Sequence, residues 1–457
     1  MSISTVGVEY TFARALRDLI AFARIPSVSA QPEHAADVRR CADWLAAHLR
    51  GIGMPAVEVL PTPRHPAVVA AWRGRPGRPT VLIYAHYDVQ PAALSDGWNT
   101  PPFEPQVRDG FLYGRGTSDD KGPLLAHVAA LGQLLRSGGP PVNVVCLFDG
   151  EEEIGSPHLA ELLERRRDLF AADLAVMSDT RFLAPGRPAI IYGLRGGLGL
   201  EIELRGQRAD VHSGSFGGAL HNPLQALCEI VARLHDPSGR VAIPGFYDRV
   251  RPVSAREQAA LARYGPSDAQ LLRDAGAQAG WGERGYTLYE RTTIRPALTV
   301  NGLAGGYGGP GGKGIIPARA TAKLSFRLVP DQEPAAIERL ARAHLARLIP
   351  PAMRARISIH QRSWPVLLDP QGPGFRAAAA AYQRGFGAMP VLLRSGGSIP
   401  VVHLFKRLLG IPTVLMGFAL PDDAMHGPNE RFGLDQFARA ITTCVAFLEH
   451  LGVSRER

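Results

Sequence analysis

Seven residues fall where apolar runs of the sequence stop. They are His86 and Asp88 in AHYDVQP, Asp119 in GRGTSDDKG, Glu152 and Glu153 in DGEEEIGS, Asp179 in VMSDT, and His426 in DDAMHGPNE. If the runs are strands of a parallel sheet, their carboxyl ends converge on one rim, and two imidazoles meet several carboxylates in one cleft. That many carboxylates repel one another unless cations sit between them. Mixed histidine and carboxylate ligands suit Zn²⁺ or Mn²⁺ better than Ca²⁺ or Mg²⁺, so the pattern implies a site for two metal ions. His86 and Asp88, two apart on a strand, face the same way, which lets Asp88 orient the imidazole. Glu152 and Glu153 can divide labour, one ligating while the other takes a proton from an activated water. A Glu triplet is also what the start of a helix favours, and that reading stays open for Glu151.

The elements that must position these residues follow from the same runs. TVLIYAHYDV and VNVVCLFDGEEE are strand-like, with helical LLAHVAALGQLLRSG between them, and ADLAVMSD repeats the pattern. Strand, helix, strand predicts a largely parallel α/β sheet. Apolar residues every three or four positions over residues 11–50 predict two opening helices. After residue 194 the strands LGLEIELRG, TAKLSFRLV and ARISIHQ alternate, with helices NPLQALCEIVARLH and PAAIERLARAHLARL among them. A smaller α+β sandwich is expected there, with the stretch 245–295 as its elaboration. From about residue 365 the first style returns. The division is 1–193 and 365–457 for one domain and 194–364 for an inserted second.

Composition narrows the function. The chain has 457 residues, 46% hydrophobic and 20% charged, which is too long for one core and too apolar for a disordered protein. The formal charge of +9 could suggest nucleic acid, but the basic residues are interspersed with acids, as in ELLERRRDLF, so a solvated surface is expected and no nucleic-acid partner. No apolar run is long enough for a membrane helix, and the N-terminus lacks the plan of a signal peptide, so a cytoplasmic protein without membrane association is expected. Cys41, Cys146, Cys228 and Cys444 are far apart in apolar stretches, which predicts buried free thiols. GGYGGPGGKG at 305–314 fails as a phosphate loop, because Tyr307 and Gly314 stand where Gly and Ser or Thr are required.

The segments AHYDVQP, LYGRGTSDDKG, GEEEIGSP, ADVHSG, FRLVP, GGSIP and HGPNE, in this order across nearly the whole chain, resemble the zinc-dependent exopeptidases. That family includes carnosine dipeptidases, glutamate carboxypeptidase, succinyl-diaminopimelate desuccinylase and aminoacylase. The dipeptidase branch is most similar, by the spacing from YDVQP to DGW and by TPPFEP and GGSIP. The resemblance implies a zinc-exopeptidase catalytic domain with an inserted lid that also serves dimerisation, and two Zn²⁺ per subunit, with Mn²⁺ or Co²⁺ as alternatives. By motif position, Asp119 would bridge the ions, His86 and Asp179 would complete one, Glu153 and His426 the other, and Glu152 would be the general base. The bond from Asp119 to Asp120 is expected to be cis.

In the lid, the resemblance makes His212 the residue that reaches across a homodimer interface to stabilise the oxyanion. Arg327 and the backbone of Gly396, Gly397 and Ser398 would grip the substrate's free carboxylate. Relatives carry Lys-Thr before the Ile-Pro of the lid, and here Gly314 removes the hydroxyl; Gly427 also departs from the usual Ser or Ala. Both departures bear on the substrate and not on the metals. The expected reaction is hydrolysis of the amide bond of a dipeptide or similar small substrate with a free carboxylate. The rival on the same scaffold is an N-acyl amino acid deacylase.

Overall fold

The computed structural model describes residues 5–453. The reading of the N-terminus as free of a signal peptide begins on residues 1–4, which lie outside the described residues. The chain forms two compact units: residues up to Tyr192 with Leu368–Leu393 and Val401 onward, and Gly193–Leu367 with Arg394–Pro400. The three-segment division lacks that last return. Gly396, Gly397 and Ser398 therefore belong to the inserted unit.

In the first unit a sheet runs in the order Ala56–Leu60, Ala67–Trp72, Asn143–Asp149, Thr80–His86, Leu174–Met177, Thr413–Leu415, Ala189–Leu194. Its middle is parallel: Thr80–His86 pairs with Asn143–Asp149 and with Leu174–Met177, and Leu174–Met177 with Thr413–Leu415. These strands are almost wholly buried, as strands covered on both faces must be, so they read as unbroken apolar runs. Parallel neighbours need a crossover, and the helix Lys121–Arg136 supplies it between Thr80–His86 and Asn143–Asp149. The helix Leu434–Val453 packs between this crossover and the helix Pro373–Phe386. The flanking strands Ala56–Leu60 and Ala67–Trp72 are antiparallel additions that the sequence reading did not contain.

The second unit holds a four-stranded antiparallel sheet, ordered Ala297–Gly305, Arg319–Leu328, Gly196–Arg205, Arg354–Ser363. Leu198, Leu200, Ile202 and Leu204 alternate on one strand, and Ala320, Ala322, Leu324, Phe326 and Leu328 on its neighbour, building one core with helices Pro223–Ala232 and Pro334–Leu348. The α+β expectation gains a strand here. Ala297–Gly305 is an edge whose residues are mostly exposed, so it shows no alternation to read.

Three cysteines are buried free thiols as expected, but Cys228 is exposed. On its helix the core face is Pro223, Ala226, Leu227 and Ile230, and Cys228 sits one step round from Leu227, off that face. No helix among the described residues is long and apolar enough to cross a membrane.

Candidate metal centre

The parallel strands deliver their ends to one rim. His86 closes the strand Thr80–His86 in register with Asp149, and Asp179 follows Leu174–Met177. Ligand atoms of His86, Asp119 and Asp179 lie within 4.8 Å of one another, and so do those of Asp119, Glu153 and His426. Asp119 is common to both groups. Its Oδ1 is 3.1 Å from His86 Nε2 and its Oδ2 2.9 Å from His426 Nε2, while Glu153 Oε2 is 3.3 Å from that same His426 nitrogen. The peptide bond Asp119–Asp120 is cis.

Backbone contacts hold these side chains in place. His86 Nδ1 donates to the carbonyl oxygen of Asp88 at 3.0 Å, which turns Nε2 toward Asp119. The Asp88 carboxylate is farther from that ring, at 3.5 Å. Its two oxygens instead accept the backbone N–H of Glu152 at 3.1 Å and of Glu153 at 3.0 Å. Asp88 thus orients both the imidazole and the acidic turn. Within the Glu triplet, Glu151 turns away and accepts from Thr62 Oγ1 at 2.6 Å and from His65 N at 2.8 Å. Glu152 and Glu153 stay with the cluster.

Electrostatics describe a site short of positive charge. Burial pushes the Glu152 carboxyl well above its usual range, with the charges of Asp179, Glu153 and Asp88 adding to it and His86 opposing. Burial and then the charge of Asp119 do the same to Asp179. Burial would also raise Asp119, but hydrogen bonds from His426 and His86 outweigh it and hold that group well below the usual range. His426 is pushed up to about 10 by its hydrogen bonds to Asp119 and Glu153. Glu153 Oε1 is buried with no hydrogen-bond partner. Nitrogen and oxygen donors in two groups around a shared carboxylate, with an orphaned carboxylate oxygen among them, fit two divalent cations of the Zn²⁺ or Mn²⁺ type.

The second unit carries the remaining predicted residues. Core-facing positions on the strand Arg319–Leu328 are even-numbered, so Arg327 points from the opposite face of the sheet, where its Nη1 donates to Ser398 Oγ at 3.2 Å. Ser398 Oγ in turn donates to the carbonyl of Arg195 at 2.6 Å. Gly397 N–H is engaged with Ser395 Oγ at 3.2 Å. At Gly396 a Cβ would stand 2.5 Å from the carbonyl oxygen of Thr292, so only glycine fits. His212 is exposed, and its Nδ1 accepts the N–H of Gly214 at 3.0 Å, so in the neutral ring Nε2 carries the proton. Gly314 lies beside it: its carbonyl accepts Ser213 N–H at 2.9 Å, and a Cβ there would meet Ser213 Oγ at 3.2 Å.

Sequence reasoning missed several supports. Arg195, only 8% exposed, donates from Nε to the Gly396 carbonyl at 3.2 Å and from its backbone N–H to the Gly397 carbonyl at 3.1 Å. Burial, and then the nearby charge of Arg327, lowers it to about 10. Gln90 donates to Glu153 Oε2 at 2.8 Å, and Asp120 accepts His86 N–H at 3.2 Å. Glu430 and Arg115 stood inside the quoted segments HGPNE and GRGTSDD, yet a charged residue within a motif carries no mark of what it holds.

Comparison with known proteins covers most of the chain. Residues 82–450 match the model of peptidase family M20/M25/M40. The chain is 33% identical over 445 residues to a Cys-Gly metallodipeptidase of Schizosaccharomyces pombe, covering 93% of each. It is 30% identical over 460 residues to a Beta-Ala-His dipeptidase of Rattus norvegicus, covering 96% of this chain and 92% of the relative. An M20 family metallo-carboxypeptidase from Sulfolobus solfataricus superposes with a TM-score of 0.88 at 32% identity, over 96% of this chain and 99% of that one.

Proposed function

The chain belongs to peptidase family M20/M25/M40, and from that membership and the metal-ligand geometry we propose that it is a dipeptidase working with two Zn²⁺ ions, Mn²⁺ or Co²⁺ being able to replace them. The observation that carries the reading is the shared carboxylate of Asp119 between two ligand groups, with Glu152, next to Glu153 on the turn that Asp88 holds, a member of neither. His86 and Asp179 would hold one ion, Glu153 and His426 the other, and Asp119 both. Bound there, the ions would polarise the scissile carbonyl and acidify a water.

The protein's own residues do the rest. Glu152 accepts the water's proton at a carboxylate oxygen and later gives it to the leaving amine, a task suited to a carboxyl whose pKa burial raises. Asp88 keeps His86 and the Glu152–Glu153 turn in place. Arg327, steadied through Ser398, receives the substrate's free carboxylate, together with backbone from Gly396 to Ser398. Recognition of that carboxylate suits the dipeptidase and carboxypeptidase relatives alike. His212 offers an Nε2–H donor on an exposed turn, and we assign it to the oxyanion in the partner subunit of a homodimer. In support of dimerisation through the lid, the edge strand Ala297–Gly305 exposes Val300 and Leu303 at 37% and 46%. The four free thiols support a reducing, cytoplasmic compartment.

The test is hydrolysis of a dipeptide panel that includes Cys-Gly and β-Ala-His, run beside N-acetyl and N-succinyl amino acids. It is done after chelation and again after adding back Zn²⁺ or Mn²⁺. Metal-restored cleavage of dipeptides is expected; deacylation without dipeptide cleavage would move the chain to the acylase reading.

A further inference from the structure

One buried ion pair lies behind the metal centre without contributing a ligand atom to either group. Arg115 is 3% exposed and Glu430 fully buried, and Arg115 Nη1 donates to Glu430 Oε2 at 2.8 Å. The same carboxylate collects the backbone of the loop that carries the shared ligand. Gly116 N–H reaches Oε2 at 2.9 Å, while Ser118 N–H and Asp119 N–H reach Oε1 at 2.9 and 3.1 Å. The other arm of the guanidinium turns to the second ligand loop, where Nη2 donates to the carbonyl oxygen of His426 at 3.1 Å.

That last contact matters because His426 sits at φ +63°, and Ala424 and Asn429 in the same loop also have positive φ. Non-glycine residues hold the left-handed region only where their surroundings fix them. Between Asp423 and Glu430 the two loops are tied again, by Ser118 Oγ donating to Asp423 Oδ2 at 3.2 Å. A charged pair that satisfies four donors on one carboxylate and reaches the backbone of a strained ligand on the other side does more than fill space.

We propose that Arg115 and Glu430 are a positioning pair that holds Asp119 and His426 at ligating distance from each other, and so set the affinity of the ion site built on Asp119, Glu153 and His426. The inference rests on the dinuclear reading above. The first group, with His86 and Asp179 placed by strand ends, depends on the pair only through Asp119. The site containing His426 depends on it through two of its three ligands.

The experiment is a Zn²⁺ titration of the chelated full chain against a chromophoric chelator, which resolves two binding steps, with His426→Ala identifying the step that belongs to His426. Glu430→Gln, close in shape but without the charge, is expected to weaken that step by about 10- to 100-fold, the usual range for groups that orient metal ligands, and the other step less. Arg115→Lys keeps the charge but loses the fork, and is expected to show an intermediate loss at the same step. A merely structural pair would lower the melting temperature of the chelated protein and leave both affinities unchanged in the folded variants. Wild-type affinities in folded Glu430→Gln and Arg115→Lys overturn this inference alone. A wild-type chain that takes up fewer than two ions overturns the dinuclear reading and the inference with it.

Discussion

The two units build their functional groups in opposite ways. In the first, His86, Asp119, Glu153, Asp179 and His426 are acids and imidazoles that crowd together, and burial raises the carboxyl groups of Glu152 and Asp179, with neighbouring carboxylates adding to it. In the second, Arg195 and Arg327 bring two guanidinium groups near one another, and burial and then the charge of Arg327 lower Arg195. As proposed above, the first would take cations and the second an anion. On that proposal, specificity for a small zwitterionic substrate would be altered in the second without disturbing the metal ligands of the first.

Substitutions in the two units separate these roles. The largest effect belongs to Glu152→Gln, which keeps the shape and removes the proton acceptor. We expect kcat to fall by about 10²- to 10⁴-fold with metal content unchanged by elemental analysis. Lost metal in this variant would make Glu152 a ligand rather than a base. Arg327→Met in the second unit is expected to raise KM by on the order of 10- to 100-fold, the value of one charged hydrogen bond, with metal content again unchanged. A dipeptide amide, which lacks the carboxylate, should be cleaved no worse by this variant than by the wild type. If it loses as much as the free dipeptide, Arg327 serves the fold and not the substrate. The smallest effect concerns the thiols. Cys41, Cys146 and Cys444 are buried in the first unit and Cys228 is exposed in the second, so a thiol reagent should modify one group in the native chain and four after unfolding. Cys228→Ser should remove the fast reaction and change stability by less than about 0.5 kcal/mol.

The same contrast explains what could be read in the sequence. Parallel strands covered on both faces leave unbroken apolar runs, and a polar residue at the end of such a run is conspicuous, which made His86, Asp179 and the Glu turn legible. The lid histidine and Arg327 carry no such mark: a strand arginine on the face away from the core looks like any surface arginine, and only the resemblance singled it out. Arg195 was hidden because its partners are backbone carbonyls about a hundred and two hundred positions away, those of Arg291 and Gly396. The strand Ala297–Gly305 was missed because an exposed edge has no buried face to impose a period. Glu151 could not be separated from its neighbours by type. Its bonds to Thr62 and His65 depend on a turn 86 residues or more upstream.

The requirement for two ions is tested by following dipeptide hydrolysis point by point as the chelated chain is titrated with Zn²⁺ or Mn²⁺. Negligible turnover is expected without metal, and a rate that reaches its plateau as the second equivalent binds. Full activity in the metal-free chain, or a plateau reached with a single ion and no second one bound, would contradict it.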